Sequence, residues 1–487
     1  MFSNFDTRPY QTGDLFLGSD GGEDGGCAIG IDTDRHAICI AGSRSGKGAG
    51  LIIPNLKRWP HNILCIDPKG ENAELTYQDR EKMGQAVHVL DPFGSADVPD
   101  RIRAKFNPLA SIDLTSNRAR ADIADIANGL VVVTDPKHME WIKGARSILA
   151  GIIAYVIADA PPDHRNFASV RNILMLPKET ASGAMGLWDH AQEMAADERI
   201  GGLIRNAGTM LITAMDSAKA IEKDFLGLAR TSTDWLDDDS IAECLSDTTF
   251  QMADLKTGNV SVFLVLPSDG TFLETYGAFL RLFVKTALNA MGKQQKGKRC
   301  LFILDEVYSL GKLDELVDSA GRLPSYGVHL FLFFQNLTQS FKRYDKEGTE
   351  TFFGNADAHI FFGNTDGTTL DYVSKRMGNF TPNEVVQEPP KKRAYSFWKD
   401  SRFFRDERES REIKQANDEN LQAGYQHQMK LVGTPRLPPD QVKALVAKMD
   451  DDSVASSMIV FGKGDHVFNL QLAPYFGLQP WGYDEVN

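Results

Sequence analysis

Two segments more than 250 residues apart carry side chains suited to binding a triphosphate and activating water. The first, over 36–48, is an apolar run that leads into a glycine-rich loop containing Lys47. The second, over 300–306, is an apolar run that ends in two carboxylates, Asp305 and Glu306. Each segment alone is weak evidence, but the two together, in this order, predict a nucleotide-driven machine.

The glycine-rich loop over 42–48 is predicted to wrap around phosphate groups. Glycines let backbone N–H groups converge on a phosphate without a Cβ clash. Lys47 adds a point charge for the β and γ phosphates, and the helix that follows points its N-terminal dipole at them. An ordinary strand–turn–helix connection that happens to contain a lysine is the alternative. The predicted nucleotide-binding residues are Gly42, Ser43, Arg44, Ser45, Gly46, Lys47 and Gly48.

This loop departs at two positions from the pattern G-x-x-x-x-G-K-[ST]. Ala41 stands where the first glycine is expected, and Gly48 replaces the hydroxyl residue that normally binds Mg²⁺. The second departure matters more, because the metal loses a direct protein ligand. A bound Mg²⁺ would then depend on phosphate, water and Asp305.

The two adjacent carboxylates suit the two remaining tasks of nucleotide hydrolysis. Asp305 suits a water-mediated contact with Mg²⁺, and Glu306 suits polarising the attacking water. Neighbouring residues of a strand point to opposite faces, so the pair is best explained at the exposed carboxyl end of a strand. A solvated Asp-Glu dipeptide is the alternative, and the apolar run before it disfavours that interpretation.

Length and charge limit the class of protein. With 487 residues, 42% of them apolar, the chain can bury a large core and is expected to form at least two domains. A net charge of −13 disfavours a passive nucleic-acid coat, so contact with DNA would have to be local. The five cysteines lack metal-ligand spacing, and they predict free thiols in a reducing cytoplasm.

Short apolar runs recur at wide intervals and predict strands buried on both faces of a parallel sheet. These runs cover 36–42, 61–67, 86–91, 260–266, 300–306, 328–335 and 358–363, with two more near 457–461 and 467–470. Because the carboxyl ends of parallel strands line the ligand crevice, four polar residues are expected to face it: Asp67, Asp91, Asp305 and Gln335. Gln335 could bind the γ phosphate or the attacking water, or could cap the next turn.

The sequence between the early and late runs has a helical pattern instead. Apolar residues recur every three or four positions from 117 to about 245, which predicts an inserted all-α domain. The domains are therefore predicted as a polar, glycine-rich leader over 1–30, a nucleotide-binding domain over 31–116 and 246–487, and the helical insert over 117–245. A charged stretch from 380 to about 428 predicts a mobile loop or short amphipathic helix, with a nucleic-acid contact as the less favoured option.

No segment is predicted to cross a membrane or act as a signal peptide. The most apolar helical run, over 148–158, is too short to span a bilayer and is interpreted as a core helix. We therefore expect a soluble protein.

The motifs in order resemble the type IV secretion coupling proteins, the TraG-like conjugative DNA-transfer ATPases. The first half of the resemblance lies in the loop over 42–48, then in 53–56, Trp59-Pro60 and the Asp-Pro-Lys-Gly-Glu segment over 67–71. The second half lies in 304–306, 310–313, Gly321-Arg322, 326–328, Gln335 and 373–378. The similarity covers about residues 30–475, and P-loops with glycine at position 48 occur in that family.

The resemblance implies a fold and a set of roles. The fold is an α/β, RecA-like P-loop NTPase domain with a mostly parallel sheet, interrupted by the all-α insert and assembled as a ring of six with ATP at subunit boundaries. Lys47 would bind phosphate, Asp305 would serve Mg²⁺, Glu306 would be the water-activating base and Gln335 the γ-phosphate sensor. Arg322 matches the arginine that reaches a neighbour's nucleotide; on its own it would be interpreted as a surface residue.

One departure from the family concerns the membrane. The family usually carries an N-terminal transmembrane segment, whereas this sequence reaches its P-loop within about forty residues through a polar leader. Either the chain is a naturally soluble variant, which we favour, or the membrane part has been removed. We expect a cytoplasmic protein that is peripheral at the inner membrane through partners. It is expected to be a homo-hexamer when active and a monomer in isolation.

Two main classes of function remain open. The first is an ATP-driven motor, with Mg²⁺ as cofactor, that delivers DNA, or a relaxase or protein effector, to the components of a type IV secretion channel. The second is a nucleotide-dependent adaptor that binds ATP and cargo but hardly turns over; Gly48 and the missing anchor motivate it. A cytosolic DNA-processing ATPase unrelated to secretion is a third, less favoured option. The helical insert would recognise the relaxase or DNA cargo.

Overall fold

The computed structural model of the chain describes residues 9–21, 26–131, 136–216, 220–267, 270–294, 296–380, 434–447, 457–463 and 466–477. Its strands are β1 (Leu15–Ser19), β2 (Ala28–Ile31), β3 (His36–Ala41), β4 (Asn62–Asp67), β5 (Ala86–Leu90), β6 (Val260–Val265), β7 (Cys300–Leu304), β8 (Val328–Phe334), β9 (Ala356–Phe362), β10 (Asn379–Phe380), β11 (Thr434–Pro435), β12 (Ser457–Phe461) and β13 (Val467–Gln471).

The helices fall into three groups along the chain. Before the long helical region lie α1 (Ile53–Arg58) and α2 (Glu71–Lys82). That region contains α3 (Ala119–Leu130), α4 (Met139–Asp159), α5 (Phe167–Met175), α6 (Leu187–Ala195), α7 (Arg199–Asp216), α8 (Ala220–Thr231) and α9 (Asp239–Cys244). After it come α10 (Asp254–Thr257), α11 (Gly270–Lys293), α12 (Asp314–Ala320), α13 (Leu337–Gly354), α14 (Gly367–Arg376) and α15 (Pro439–Leu445).

Eleven of the strands form one mixed sheet, in the order β2-β1-β13-β12-β9-β3-β8-β7-β4-β6-β5. The seven strands from β9 to β5 are parallel, and β12, β13, β1 and β2 extend one side of the sheet by antiparallel pairing. Most residues of the inner strands are fully buried, and β7 and β8 are apolar almost throughout. Such continuous apolar runs are expected where helices cover both faces of a parallel sheet.

The nine strand segments predicted from apolar runs are all present. They correspond to β3 to β9 and to β12 and β13. The predicted leader over 1–30 is wrong in one respect, because β1 and most of β2 lie within it and pair with each other and with β13. Leu15 and Phe16 are buried there, but the run they belong to is too short and too rich in glycine neighbours to stand out in the sequence.

The region between β5 and β6 is helical in its described residues. Its longest helix, α4, packs against α3, α7 and α8, and it includes the apolar run over 148–158. By length and composition α4 could cross a membrane, since it has 21 residues, but 72% of its most apolar stretch is buried inside the protein. This burial agrees with the prediction of a core helix.

The described chain divides into two compact units, one over 366–444 and one formed by the remaining residues. The smaller unit contains α14 and the short ladder of β10 with β11, and the Ser374 hydroxyl donates to the Leu437 carbonyl at 2.7 Å. The predicted nucleotide-binding domain had included these residues. The charged stretch predicted from 380 to 428 lies outside the described residues apart from Phe380.

Candidate functional site

The glycine-rich loop leaves the carboxyl end of β3 and turns sharply against the end of β9. The Gly42 N–H donates to the Phe362 carbonyl at 3.1 Å, and a Cβ on Gly42 would lie 2.0 Å from the Gly363 carbonyl oxygen. Arg44 and Gly46 have φ angles of 54° and 94°, in the left-handed region. Glycine is therefore required at position 42 by the close approach of β9, and the backbone curls as a phosphate cradle needs.

A hydrogen bond from Ser45 closes the loop, and a helix follows it. The buried Ser45 hydroxyl donates to the Gly42 carbonyl at 2.6 Å. Lys47 precedes a single π-helical turn, Gly48–Ile52, which continues into α1, and no side chain caps the N–H groups of that turn. A Cβ on Gly48 would meet nothing within 4 Å. The helix start thus offers N–H groups without a side-chain cap, half-buried Lys47 and open space beside Gly48.

The two carboxylates follow β7 through a left-handed turn. Glu306 has φ 60° and ψ 47°, an unusual conformation for a residue with a Cβ. Burial raises the pKa of Asp305 to about 6, and the positive charge of Lys47 opposes that rise. The Oδ1 oxygen of Asp305 is shielded from solvent and has no hydrogen-bond partner among the described residues. A buried carboxylate oxygen without a partner is costly, and a ligand would satisfy it.

Gln335, at the end of β8, contacts Glu306 directly. Its Nε2 donates to Glu306 Oε1 at 2.6 Å, and its backbone N–H donates to Gln339 Oε1 at 3.1 Å. The alternative prediction for Gln335, a cap on the next turn, does not describe its side chain, because the neighbouring Asn336 caps α13. Lys47, Asp305, Glu306 and Gln335 therefore lie along three adjacent strands, β3, β7 and β8, at the same edge of the sheet.

Two of the four residues expected to face the crevice are occupied elsewhere. Asp67 is buried and accepts a hydrogen bond from the Ala73 N–H at 2.8 Å, and burial raises its pKa to about 7. It faces the start of α2, and the charge of Asp305 adds to the rise in its pKa. Asp91 was predicted wrongly: it follows the edge strand β5, five strands from β3, and accepts from the Ala96 N–H and from Arg103.

Arg322 lies at the opposite edge of the sheet from the loop. It follows α12, whose last residue Ala320 accepts a hydrogen bond from His36, the first residue of β3, at 2.7 Å. The six residues of β3 separate this edge from the loop by about 20 Å. Arg322 is exposed and cannot reach the loop of its own chain.

One buried residue of the site was missed by the sequence analysis. Asn364, just past β9, is 3% exposed, its Nδ2 donates to the Gln335 carbonyl at 3.4 Å, and its Oδ1 is buried without a partner in the described chain. The rule that selected Gln335, a polar residue directly after an apolar run, would also have found it, since Asn364 follows the run over 358–363. The second orphaned oxygen indicates that the edge is built for a ligand.

The chemistry of the donor set fits Mg²⁺ held jointly with a nucleotide. The described residues contain no group of three or more His, Cys, Asp or Glu side chains placed to bind a metal by themselves. One orphaned carboxylate oxygen beside a phosphate cradle is what a metal carried on phosphates requires, since Mg²⁺ usually keeps phosphate and water ligands.

Solved structures share this fold. The plasmid coupling protein TrwB, in complex with a non-hydrolysable GTP analogue, superposes with a TM-score of 0.61 over 96% of this chain and 90% of TrwB, at 12% identity. TrwB in complex with ADP and Mg²⁺ gives a TM-score of 0.58 over 99% of both chains. The chain therefore has the RecA-like P-loop NTPase fold.

Sequence comparisons reach the same group of proteins. Protein VirD4 of Rhizobium rhizogenes is 26% identical over 448 residues, which is 91% of this chain and 58% of VirD4. The type IV secretion system-coupling protein VirD4 of Bartonella quintana is 28% identical over 71% of this chain and 53% of its own length. The chain thus spans little more than half the length of these relatives. Since the profile of the type IV secretory system conjugative DNA transfer proteins matches residues 6–397, the chain belongs to that family.

Proposed function

We propose that this chain is an ATP-hydrolysing motor that delivers DNA, or a relaxase or other protein bound for transfer, to a type IV secretion apparatus. The observation that carries the proposal is the orphaned Oδ1 of Asp305, which lies within reach of the charge of Lys47 at the P-loop edge of the sheet. Family membership supports the choice of cargo, because the family is that of conjugative DNA transfer.

The P-loop residues would bind the triphosphate. The curled backbone over 42–48 and the uncapped helix start would donate N–H groups, and Lys47 would place its charge on the β and γ phosphates. Asp305 is the protein group that would hold Mg²⁺, which when bound neutralises charge developing on the phosphates. Gly48 supplies no second ligand for Mg²⁺. The metal would therefore depend more on the ionised form of Asp305 than it does where the loop ends in serine or threonine.

Glu306 would accept the proton of the attacking water. A general base must sit within hydrogen-bond reach of that water and be held in one orientation. The hydrogen bond from Gln335 and the left-handed turn of the backbone fix the Glu306 carboxylate, and the second carboxylate oxygen is left for the water. The Gln335 amide would then also be placed beside the γ phosphate.

Arg322 would act on the nucleotide of a neighbouring subunit. Its position at the far edge of the sheet excludes contact with the nucleotide of its own chain. A head-to-tail interface would bring this edge to the P-loop of the next subunit. Such an interface forms a ring when the rotation between neighbours closes, and we propose a ring of six. The helices within 117–245 are proposed to form a separate domain that recognises cargo, on the cytoplasmic side of the inner membrane, to which partners would hold the ring.

The test is ATP hydrolysis by the full chain with and without single- and double-stranded DNA, across a protein concentration series. We expect turnover to rise more than linearly with protein concentration and to increase with DNA. Glu306→Gln is expected to lower turnover by about 10²–10⁴. Arg322→Ala is expected to lower it by about 10³–10⁵.

A mixing experiment separates a shared site from two independent defects. In a ring that mixes the two variants equally, about a quarter of the interfaces combine an intact Glu306 with an intact Arg322 of the neighbour. Mixing should therefore restore activity that neither variant has alone. The exposed Arg101→Ala, outside the helical region, is the matched control and should behave as wild type. Full activity of Arg322→Ala, or no rescue on mixing, would contradict the shared site.

A nucleotide-dependent adaptor is the second candidate, and Gly48 favours it. Without a hydroxyl at this position the chain could bind ATP and cargo yet turn over slowly. Turnover that stays flat with concentration and DNA, together with measurable ATP binding, would replace the motor by the adaptor.

A further inference from the structure

The chain returns to the P-loop helix after its last strand. The Tyr475 N–H donates to the carbonyl of Ala49, two residues past Lys47, at 3.0 Å. Leu472 packs on Gly50, where an added Cβ would lie 2.7 Å from Leu472 Cδ2. Gly50 therefore permits the segment over 472–477 to lie directly against the first turn of the helix that would bind phosphate.

The strand directions bring this segment to the P-loop edge of the sheet. β12 is antiparallel to β9, and β13 is antiparallel to β12, so β13 runs in the same direction as β9 and β3. Its carboxyl end, at Gln471, thus lies at the edge from which the loop over 42–48 emerges. The segment over 472–477 begins there.

The sheet order places this segment on the side away from hydrolysis. Asp305, Glu306 and Gln335 follow β7 and β8, on one side of β3, and they mark where the γ phosphate would lie. β9, β12 and β13 lie on the other side of β3. A nucleotide with its γ phosphate toward β7 and β8 would extend its sugar and base past Ala49, toward the segment that follows β13.

Two aromatic rings lie in the segment over 472–477. The Tyr475 and Phe476 rings are 5.2 Å apart at an interplanar angle of 79°, and the Lys57 ammonium lies 5.8 Å from the Tyr475 ring centre. Phe476 is 65% exposed, the most exposed large hydrophobic side chain of the described residues. An exposed aromatic face beside a nucleotide site is a stacking surface for a base.

We propose that Phe476 stacks on the base of the bound nucleotide, while the backbone bond from Tyr475 to Ala49 holds the ring in place. The ligand class is a purine nucleoside triphosphate. A phenyl face offers stacking without hydrogen bonds, so it would accept adenine and guanine alike and would bind the smaller pyrimidine bases less well. The inference rests on the proposed nucleotide-binding function and adds the base contact to it.

The test compares ATP, GTP and CTP with tripolyphosphate, which has the phosphates but no base, in binding to the full chain with Mg²⁺. Phe476→Ala should weaken ATP and GTP binding by about tenfold and leave tripolyphosphate binding within about twofold. Phe476→Trp should keep the ATP affinity, and its added indole fluorescence should change with ATP but not with tripolyphosphate. Met175→Ala, another exposed apolar side chain, is the matched control and should change nothing.

The outcomes separate this inference from the function on which it rests. If the wild type binds neither ATP nor tripolyphosphate, the nucleotide-binding function and the base contact both fail. If the wild type binds ATP but Phe476→Ala binds it equally well, the base contact alone is overturned. Equal losses for ATP and tripolyphosphate would also overturn it, because the variant would then have disturbed the P-loop. Loss of self-association with unchanged ATP binding would assign Phe476 to a subunit interface instead.

Discussion

Two buried clusters at opposite edges of the parallel sheet, one around Arg80 and one around Asp305, differ in how their polar groups are paired. At the amino-terminal edge, buried Arg80 donates to the Ser261 hydroxyl, to the Gln85 side chain and to the carbonyls of Leu56, Trp59 and His61. At the carboxyl-terminal edge, Asp305 and Asn364 each keep a buried oxygen without a partner in the described chain.

The difference distinguishes polar groups that stabilise the fold from polar groups that await a ligand. A buried polar group that is fully hydrogen-bonded costs little and fixes its neighbours, whereas an orphaned one destabilises the protein until something binds it. His36, at the amino-terminal edge, follows the first pattern, because both of its ring nitrogens are hydrogen-bonded, to Ala320 and Leu330. We infer that the polar groups around Arg80 stabilise the fold, whereas those around Asp305 are available to a ligand.

The largest effect on stability is expected when the hydrogen bonds of Arg80 at the amino-terminal edge are removed. Arg80→Met removes every donor at once and leaves five acceptors buried, so the free energy of unfolding should fall by about 4 kcal/mol. Chemical denaturation measures this. Arg322→Met, an exposed arginine at the same edge, is the matched control and should change stability by less than about 0.5 kcal/mol. A loss below about 1 kcal/mol for Arg80→Met would mean that water replaces the guanidinium.

The second effect tests how closely the P-loop packs against the residues that follow β9. Gly42→Ala places a Cβ 2.0 Å from the Gly363 carbonyl, so either β9 or the loop must move. We expect a loss of about 1–3 kcal/mol in the free energy of unfolding, together with loss of nucleotide binding. Thermal unfolding and ATP binding measured on the same sample check this. Normal ATP binding by the variant would contradict a rigid cradle.

The third effect is a gain in the free energy of unfolding, whereas the first two are losses. Because the folded-state pKa of Asp305 is raised to about 6 from an ordinary 3.8, the folded protein loses stability as the pH rises through 6 and this carboxyl ionises. Asp305→Asn should therefore stabilise the ligand-free protein at pH 7.5 by about 1–2 kcal/mol. The gain should fade as the pH falls from 6 to 4, and ATP turnover should be lost.

Unfolding curves at several pH values measure this gain. The exposed Asp318→Asn on α12 is its control, and it should give no gain at any pH. An Asp305→Asn variant that is less stable than wild type at pH 7.5 would mean that Asp305 stabilises the fold, as Arg80 does.

The smallest effect on stability is expected at Gly48. A Cβ there meets nothing within 4 Å, so Gly48→Ser should change the free energy of unfolding by less than about 0.5 kcal/mol. The new hydroxyl adds an oxygen ligand, so half-maximal ATP turnover should need less Mg²⁺. An Mg²⁺ titration of turnover measures this, and an unchanged requirement would show that the hydroxyl does not reach the metal.

Most of the site residues at the carboxyl-terminal edge could be predicted from the sequence because their features are local. A glycine-rich loop, an Asp-Glu pair and Gln335 each follow an apolar run, and the carboxyl ends of parallel strands meet at one edge. This reasoning predicted too much at Asp91, because the order of strands in a sheet is not visible in the sequence. Only the observed order places β5 five strands away from β3.

The parts that the sequence analysis missed depend on contacts between distant segments. β1 and β2 are short, and their burial depends on pairing with each other and with β13. Phe476 lies beside Ala49 only because two antiparallel strands turn the chain back to the P-loop edge. Neither feature leaves a periodic pattern in the sequence. The roles of Lys47, Glu306, Gln335 and Arg322 remain predictions, and the variants above test those of Glu306 and Arg322.

The sheet order also determines when, during translation, the strand before the P-loop can pair with its neighbours. β3 lies between β8 and β9, and Ala37 pairs with Phe331, so the strand that starts the P-loop has no sheet neighbours until about 300 further residues have been made. The helices of 119–244 pack largely on one another and can form well before then. During that interval the apolar residues of β3 have neither of their partner strands. The P-loop edge is therefore complete only after residues 328–364 have joined the sheet.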